Sequence, residues 1–347
     1  MGVESLSRTQ RVIQEAQPEP LTGIKGFVTR RFQESVLWYA ENAVTSSRIE
    51  YHPDYADDLV DAVKDNYTLA YIGSHTAWGD ILGLAYISRE GIGLANEHLP
   101  KEKQIKGAVA PFAETINPKK KKQGKTLNRM LQAVLPLLNR YMTYPVYTVT
   151  ENDRLKRGEQ KNGGGFIADM LSMMRDGYSV IDILPEGSVD GGRKDTNRNR
   201  KGMQLFQEKS MGNIITLSRR LKKSGVLFIP VGIEGGWKIN DPTNRFKLFS
   251  GYEGLKSGLL LTTDVRNMDP ISLNVGKPIK TDEPEIADLI ERKDWLELDN
   301  QMGFAIAELI NPKMRGVYTN RETLNLAIEK REAQKRERAR LASLSQA

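Results

Sequence analysis

Residues Thr68–Leu82 read TLAYIGSHTAWGDIL, an apolar run of strand length followed by a short loop and an apolar stretch with helical spacing. The run ends at Gly73, and Gly79 precedes the helical stretch, so the backbone is predicted to turn between two regular elements. A strand that leads into a helix is the repeating unit of an α/β sheet. The stretch also contains His75, one of only three histidines in the chain.

The same alternation of short apolar runs and helical stretches continues to about Ile279. It predicts an α/β fold with a central, mostly parallel or mixed sheet flanked by helices. The predicted strands are Thr68–Gly73, Pro145–Val149, Tyr178–Leu184, Val226–Ile233 and Ile271–Val275. The predicted helices between them are Gly79–Ser88, Leu127–Tyr141, Gly165–Asp176 and Gly212–Lys223.

The chain divides into three predicted regions. Residues 1–66 show helical patterns, such as Phe27–Asn42 and Tyr55–Val63, and no convincing strand. Asp54 is the expected N-cap of the second of these helices. Residues 67–325 form the predicted α/β domain. Residues 326–347 are a charged tail, for which an exposed helix and disorder are both open.

Composition limits the class of protein. The 347 residues are 39% hydrophobic and 27% charged, which is typical of a globular chain. There is no cysteine, so disulfides and thiolate metal sites are excluded. No apolar run approaches the roughly 20 residues that span a bilayer, so we expect a cytoplasmic protein that is soluble or peripheral on a membrane. The net charge of +7 favours an anionic partner.

His75 and Asp80 form the first candidate site. Residues five apart do not meet on a regular helix or on one face of a strand, so the two side chains pair only where the backbone turns between them. The predicted turn supplies that geometry. A paired carboxylate would orient the imidazole and stabilise its protonated form, as a general base requires. The alternative is that Asp80 only caps the helix, where a carboxylate is also favoured.

The second candidate site is in Asp182–Arg193, which reads DILPEGSVDGGR. An apolar strand runs directly into Pro185-Glu186-Gly187. Strand ends in α/β sheets are where ligands bind, so Glu186 is a candidate for substrate binding. A Pro-Xaa-Gly turn without any function is the alternative.

Together, these motifs resemble those of the glycerolipid acyltransferase family, the glycerol-3-phosphate and lysophosphatidic acid acyltransferases. Ser74-His75-Thr76-Ala77-Trp78-Gly79-Asp80 matches that family's His-x-x-x-x-Asp motif, and Leu184-Pro185-Glu186-Gly187-Ser188 matches its Pro-Glu-Gly motif. Two later elements, Ile229-Pro230-Val231 and Gly276-Lys277-Pro278-Ile279, also correspond. The resemblance covers about residues 50–280 and implies a glycerol-3-phosphate acyltransferase-like fold.

The resemblance also implies a reaction. His75, oriented by Asp80, would deprotonate an acceptor hydroxyl that attacks the acyl thioester of coenzyme A or acyl carrier protein. Glu186, Gly187 and Ser188 would help to bind the acceptor, which would be glycerol-3-phosphate, lysophosphatidic acid or a related lipid. Neither a metal nor a cofactor is expected, apart from the acyl donor as co-substrate. His52 and His98 have no motif around them and are expected to be structural or surface residues.

The basic residues depart from the family pattern. Val189 stands where the family has an arginine after its Pro-Glu-Gly motif. Arg193 is the arginine nearest to that position, and Arg154 and Arg157 are a displaced counterpart of the family's middle motif, an apolar strand that ends in arginine. We expect these three arginines to hold an acceptor phosphate, because guanidinium groups bind phosphate in bidentate fashion. Solvated loop positions are the alternative for all three.

A lysine run, Lys119–Lys122, lies between the two motifs. It predicts contact with an anionic membrane surface, an acidic carrier protein or the phosphates of coenzyme A, or else a solvated loop. Two other functions stay open: a non-catalytic module that binds lipid or acyl carrier on the same fold, and a basic nucleic-acid-binding protein. Nucleic acid is not the expected partner, because helix-turn-helix, zinc and RNP-type patterns are all missing from the sequence.

Overall fold

A computed structural model describes residues 7–15, 48–74, 80–112, 143–150, 163–186, 202–234 and 272–344 of the protein. The strands in these ranges are β1 (Arg48–Tyr51), β2 (Thr68–Gly73), β3 (Ala108–Phe112), β4 (Val146–Thr150), β5 (Val180–Ile183), β6 (Val226–Glu234), β7 (Ser272–Val275) and β8 (Ile279–Lys280). The α-helices are α1 (Arg8–Glu15), α2 (Tyr55–Lys64), α3 (Asp80–Glu97), α4 (Gly163–Arg175), α5 (Ser210–Arg220), α6 (Pro284–Arg292), α7 (Trp295–Glu308) and α8 (Arg321–Leu344). Short 3-10 helices span Lys101–Lys103, Pro312–Met314 and Gly316–Thr319.

The strands form one eight-stranded mixed sheet in the order β1-β7-β6-β2-β5-β3-β4, with β8 paired to β6 beside β7. The five strands β2, β3, β4, β5 and β6 run parallel to one another. β7 and β8 run antiparallel to β6, and β1 is parallel to β7. The predicted α/β class with a mostly parallel sheet flanked by helices is therefore confirmed.

The centre of the sheet is made by its most apolar segments. All six residues of β2 are buried, as are the first eight of the nine in β6. Strands that are covered on both faces are expected to read as continuous hydrophobic runs, which explains why these two were predicted from sequence. Pro230 fits inside β6 because it falls between the segments that pair with β8 and β7, where its carbonyl accepts from the Gly276 N–H at 2.9 Å.

Helices cover both faces of the sheet. On one face, α2 and α3 pack against side chains such as Leu69, Leu227 and Ile229. On the other face, α4, α5, α6 and α7 pack against Ile72 and Phe228. Two separate apolar cores result, one on each side, and the strands that they share hold the helices in place.

Three strands that the sequence did not indicate complete the sheet: β1, β3 and the two-residue β8. β1 lies in the region that was predicted to contain no strand, so that prediction is wrong for Arg48–Tyr51. Its sequence, RIEY, is short and charged because it pairs on only one side, with β7, and is largely exposed. β3 has the sequence AVAPF, in which alanine and proline have low β-propensity. It nevertheless pairs with both β5 and β4.

The predicted helices are shifted or extended. α3 continues to Glu97, beyond the expected end at Ser88. Gly177 follows α4 with φ +102°, as expected of a glycine after a helix. Asp54 stands before α2 but makes no side-chain capping hydrogen bond. The charged tail is helical through Leu344 as part of α8. The predicted helices Phe27–Asn42 and Leu127–Tyr141 lie outside the described residues.

A layer of polar side chains lies between α3 and the sheet. The Tyr55 and Tyr71 hydroxyls are 2.9 Å apart in the buried interior, and the Tyr51 hydroxyl donates to Glu90. α3 passes over the tyrosine pair at Gly91, where a Cβ atom would lie 1.8 Å from the Tyr71 hydroxyl oxygen. A glycine inside a helix normally costs stability, but here it is what allows the helix to approach the tyrosines.

We predict that Gly91→Ala lowers the free energy of unfolding by about 1–3 kcal/mol, because the added methyl group displaces the Tyr71 hydroxyl or the helix. Gly93→Ala is the matched control on the same helix. The added Cβ atom would lie 3.7 Å from Tyr144, which is an ordinary contact. This variant should therefore have a free energy of unfolding that is higher by up to about 1 kcal/mol, because alanine has a higher helix propensity than glycine. Urea denaturation of both variants measures the difference, and equal values would contradict the close approach at Gly91.

Candidate functional site

The carboxyl ends of β2 and β5 meet at one edge of the sheet. The two strands are parallel neighbours with Ile72 opposite Ile183. Directly beyond them, a Cβ atom on Gly73 would lie 2.9 Å from the side chain of Leu184. The loops that carry the two candidate motifs therefore start side by side.

The helices that follow these two strands leave toward opposite faces. α3, after β2, belongs to the core on one face, whereas α5, after β5, belongs to the core on the other. In open α/β sheets this divergence opens a crevice beyond the carboxyl ends of the strands, and ligands bind there. The described parts of both motifs thus lie where such a crevice is expected, and we call this place the crevice.

Ser74 anchors the beginning of the first motif. It is completely buried, and its hydroxyl accepts from the Ile233 N–H at 3.0 Å. Its own N–H donates to the Val231 carbonyl at 3.2 Å. These bonds fasten the end of β2 to β6 at the residue that immediately precedes His75.

Asp80 is the first residue of α3 and is completely buried. A carboxylate at this end of a helix interacts favourably with the helix dipole. β2 ends at Gly73 and α3 begins at Asp80, so the two regular elements that flank the predicted turn are both present. His75 itself lies outside the described residues, so its pairing with Asp80 stays a prediction.

Glu186 follows β5 and is also buried, with 6% of its surface exposed. One carboxylate oxygen, Oε2, accepts from the Gln204 N–H at 2.7 Å. The neighbouring Pro185 carbonyl accepts from the Gln207 N–H at 2.8 Å. The Pro185-Glu186 turn therefore holds the extended segment 202–207, which we call the strap.

The strap is fastened on its other side to the last part of the fold. The Phe206 N–H donates to the Tyr318 hydroxyl at 3.2 Å, and Arg331 of α8 donates to the Phe206 carbonyl at 2.9 Å. Met203 exchanges backbone hydrogen bonds with Met314 and Val317, each at 3.0 Å. Glu186 is thus positioned by the C-terminal helices as well as by β5.

Asp182, on β5, is a buried acid to which the sequence analysis assigned no role. It is 5% exposed and lies opposite Tyr71 of β2, under α3. The Ser88 hydroxyl of α3 is 2.8 Å from its Oδ2 atom. Burial raises the pKa of Asp182 to about 8, against a lowering effect of the hydrogen bond with Ser88. The feature of the sequence that marks Asp182 is an acidic residue inside an otherwise apolar strand, VIDIL.

The other predicted site residues divide into two groups. Ile229-Pro230-Val231 lies in β6 beside β2. Gly276-Lys277-Pro278-Ile279 joins β7 to β8 and leads away from the crevice, since Ile279 pairs with Phe228 toward the beginning of β6. The residues outside the described part of the chain are Gly187, Ser188, Arg154, Arg157, Arg193 and the lysine run Lys119–Lys122.

The two other histidines lie apart from the crevice. His52, half-buried just after β1, accepts from the Asp54 N–H at 3.3 Å. His98 is exposed after the end of α3.

Within the described ranges, no three histidine or acidic side chains are grouped so as to hold a metal ion. No helix in those ranges has the length and apolar character needed to cross a membrane.

Comparison with known proteins gives no further identification. No protein-family model matches this sequence, and no curated protein is significantly similar to it.

We predict that Glu186→Ala lowers the free energy of unfolding by about 1–3 kcal/mol, because the Gln204 N–H loses its buried acceptor. Glu186→Gln keeps a side-chain oxygen for that N–H and should cost less than half as much. Glu291→Ala, at an exposed position of α6, is the control and should change stability by less than about 0.5 kcal/mol. Chemical denaturation gives all three values. Equal stability of E186A and E291A would contradict the role of Glu186 in holding the strap.

Proposed function

We propose that the protein is an O-acyltransferase that moves a fatty acyl group from a thioester donor to a hydroxyl group of glycerol-3-phosphate, lysophosphatidic acid or a related lipid acceptor. The donor would be acyl coenzyme A or acyl carrier protein. The observation that carries the proposal is that Asp80 and Glu186 follow two adjacent parallel strands, β2 and β5. Both belong to motifs that resemble those of the glycerolipid acyltransferases, and the fold brings these motifs to one edge of the sheet.

In this proposal His75 is the general base. It takes the proton of the acceptor hydroxyl, and the hydroxyl oxygen attacks the carbonyl carbon of the thioester. The carbon–sulfur bond then breaks, and the proton passes from the imidazolium to the departing thiolate. Asp80 keeps the imidazole in one tautomer and stabilises its charged form. A direct transfer fits a chain that has no cysteine to form a thioester intermediate.

Glu186 takes part in acceptor binding in this proposal, together with Gly187 and Ser188. A carboxylate accepts hydrogen bonds from hydroxyl groups but repels a phosphate. The glycerol hydroxyls of the acceptor would therefore lie toward Glu186, and its phosphate would lie toward basic side chains. Arg154, Arg157 and Arg193 are the candidates for that contact because guanidinium groups suit phosphate geometry.

The net charge of +7 supports a peripheral association with an anionic membrane, from which a lipid acceptor would be taken. The lysine run Lys119–Lys122 is the candidate contact. A cytoplasmic location would give access to both kinds of acyl donor.

We predict that His75→Ala lowers acyl transfer by about 10²–10⁴-fold while the protein stays folded, because a positioned base contributes that much. His98→Ala is the control, since this histidine is exposed and lies away from the crevice; it should retain full activity. The assay offers acyl coenzyme A and acyl carrier protein against glycerol-3-phosphate, lysophosphatidic acid and a hydroxyl acceptor without phosphate, with correction for thioester hydrolysis.

The outcomes of this assay separate the functions. Transfer that depends on His75 supports the acyltransferase, and full transfer by H75A would falsify the assigned base. Lipid or carrier binding without turnover of any donor would instead indicate a non-catalytic binding module. Salt-dependent binding of duplex or single-stranded nucleic acid that H75A leaves unchanged would indicate a nucleic-acid-binding protein.

A further inference from the structure

Asp182 has no part in the proposed reaction, yet it is a buried acid on the strand that leads into Glu186. Its side chain faces α3, the helix that begins with Asp80. A contact between Asp182 and Ser88 therefore joins the two elements that carry the two halves of the candidate site.

The hydrogen bonds of Ser88 indicate where the proton lies. Its hydroxyl oxygen is 3.2 Å from the Ala85 carbonyl and 2.8 Å from Asp182 Oδ2. A hydroxyl group has one hydrogen, so Ser88 donates to only one of these two oxygens at a time. Both contacts are hydrogen bonds at once when Ser88 donates to the Ala85 carbonyl, which can only accept, and a protonated Asp182 donates to the hydroxyl oxygen.

The surroundings of Asp182 favour the neutral acid. Its Oδ1 atom has no hydrogen-bond partner among the residues that the structure describes. Burial of such an oxygen costs far more free energy when it belongs to a charged carboxylate than when it is the carbonyl oxygen of a neutral acid. β2 contributes Tyr71, which is bonded to Tyr55 of α2. β3 pairs with the two preceding residues of β5 through Ala108 and Val109, which carry no charge.

On α3, Arg89 and Glu90 follow Ser88 in the chain. Glu90 is hydrogen-bonded by Tyr51. Burial and the Ser88 hydrogen bond are what shift the ionisation of Asp182.

We propose that Asp182 is a positioning residue: as a neutral acid it donates to Ser88, fastens α3 to β5 and thereby fixes Asp80 relative to Glu186. The positioning role rests on the proposed function, because it concerns the geometry of the acyl-transfer site. Ionisation of Asp182 removes this donor and leaves a negative charge buried between α3 and β5. α3 and β5 then separate or admit water, and the site loses its geometry at alkaline pH.

The protonation of Asp182 is tested first, without any substrate. We expect the infrared spectrum of the wild-type protein at pH 7 to contain a protonated-carboxyl band that Asp182→Asn lacks and Asp176→Asn retains. Asp176 is the matched control because it is an exposed aspartate in the turn before β5. A wild-type spectrum without that band would overturn the inference.

Unfolding as a function of pH tests the same point by thermodynamics. The ordinary pKa of an aspartate is 3.8, and that of folded Asp182 is about 8. Between these values the folded protein keeps a proton that the unfolded chain has released, so stability is lost as the pH rises. Relative to D182N, the wild-type unfolding constant should rise by up to tenfold per pH unit from about pH 4 to 8 and then level off. A constant ratio across this range would contradict a neutral Asp182.

The positioning role is tested by the pH profile of acyl transfer. D182N keeps a donor toward Ser88 and cannot ionise, so its kcat/KM should match wild type near pH 7. It should lack the alkaline loss that wild type and D176N show near pH 8. The same alkaline loss in D182N would overturn the positioning role.

Two further outcomes are decisive. Absence of acyl transfer from the wild-type protein would remove the proposed function and the positioning role with it, while the infrared and unfolding measurements would still decide whether Asp182 is neutral.

If D182N does not fold, Ser88→Ala replaces it. That variant keeps the carboxyl buried but removes its acceptor, so the band should persist at a shifted frequency. An unshifted band would show that Ser88 does not receive the proton.

Discussion

The pairing of β2 with its two parallel neighbours is the constraint on which the rest of the structure depends. β2 is hydrogen-bonded to β6 along its whole length, from Thr68 to Gly73, and to β5 from Leu69 to Ile72. Because all three strands run the same way, their carboxyl ends lie together at one edge. The register then determines which residues become neighbours beyond that edge, and the divergence of α3 and α5 determines where a ligand has room to enter.

Polar side chains are buried between α3 and the sheet. Serine, aspartate and tyrosine side chains under α3 contact one another in an otherwise apolar interface. Each has few possible partners, so the layer permits fewer relative positions of helix and sheet than apolar packing alone would. In the proposed function this restriction matters for the first residue of α3, because a small rotation of α3 would move Asp80.

Much of the sheet could be predicted from sequence, and the failures have physical causes. β2 and β6 were recognisable because strands buried on both faces must be apolar throughout. β1 was missed because an edge strand needs no such run, and β3 because Ala-Val-Ala-Pro-Phe owes its conformation to its neighbours. Asp80 and Glu186 could be selected from motif and spacing. Asp182 could not, because its environment is created by Ser88 and Tyr71, which come from other segments. The contacts of the strap could not be predicted either, since its partners Glu186, Tyr318 and Arg331 come from distant segments of the chain.

The strap also affects the order in which the molecule can be assembled during synthesis. β2 and β5 precede it in the chain, so the edge that carries both motifs can form early. The groups that hold Phe206, however, come 112 and 125 residues later, from Tyr318 and Arg331. A nascent chain that folds from its N-terminus would expose Glu186 on an unfinished turn until those residues have left the ribosome. Completion of the crevice is therefore among the last events in the folding of this protein.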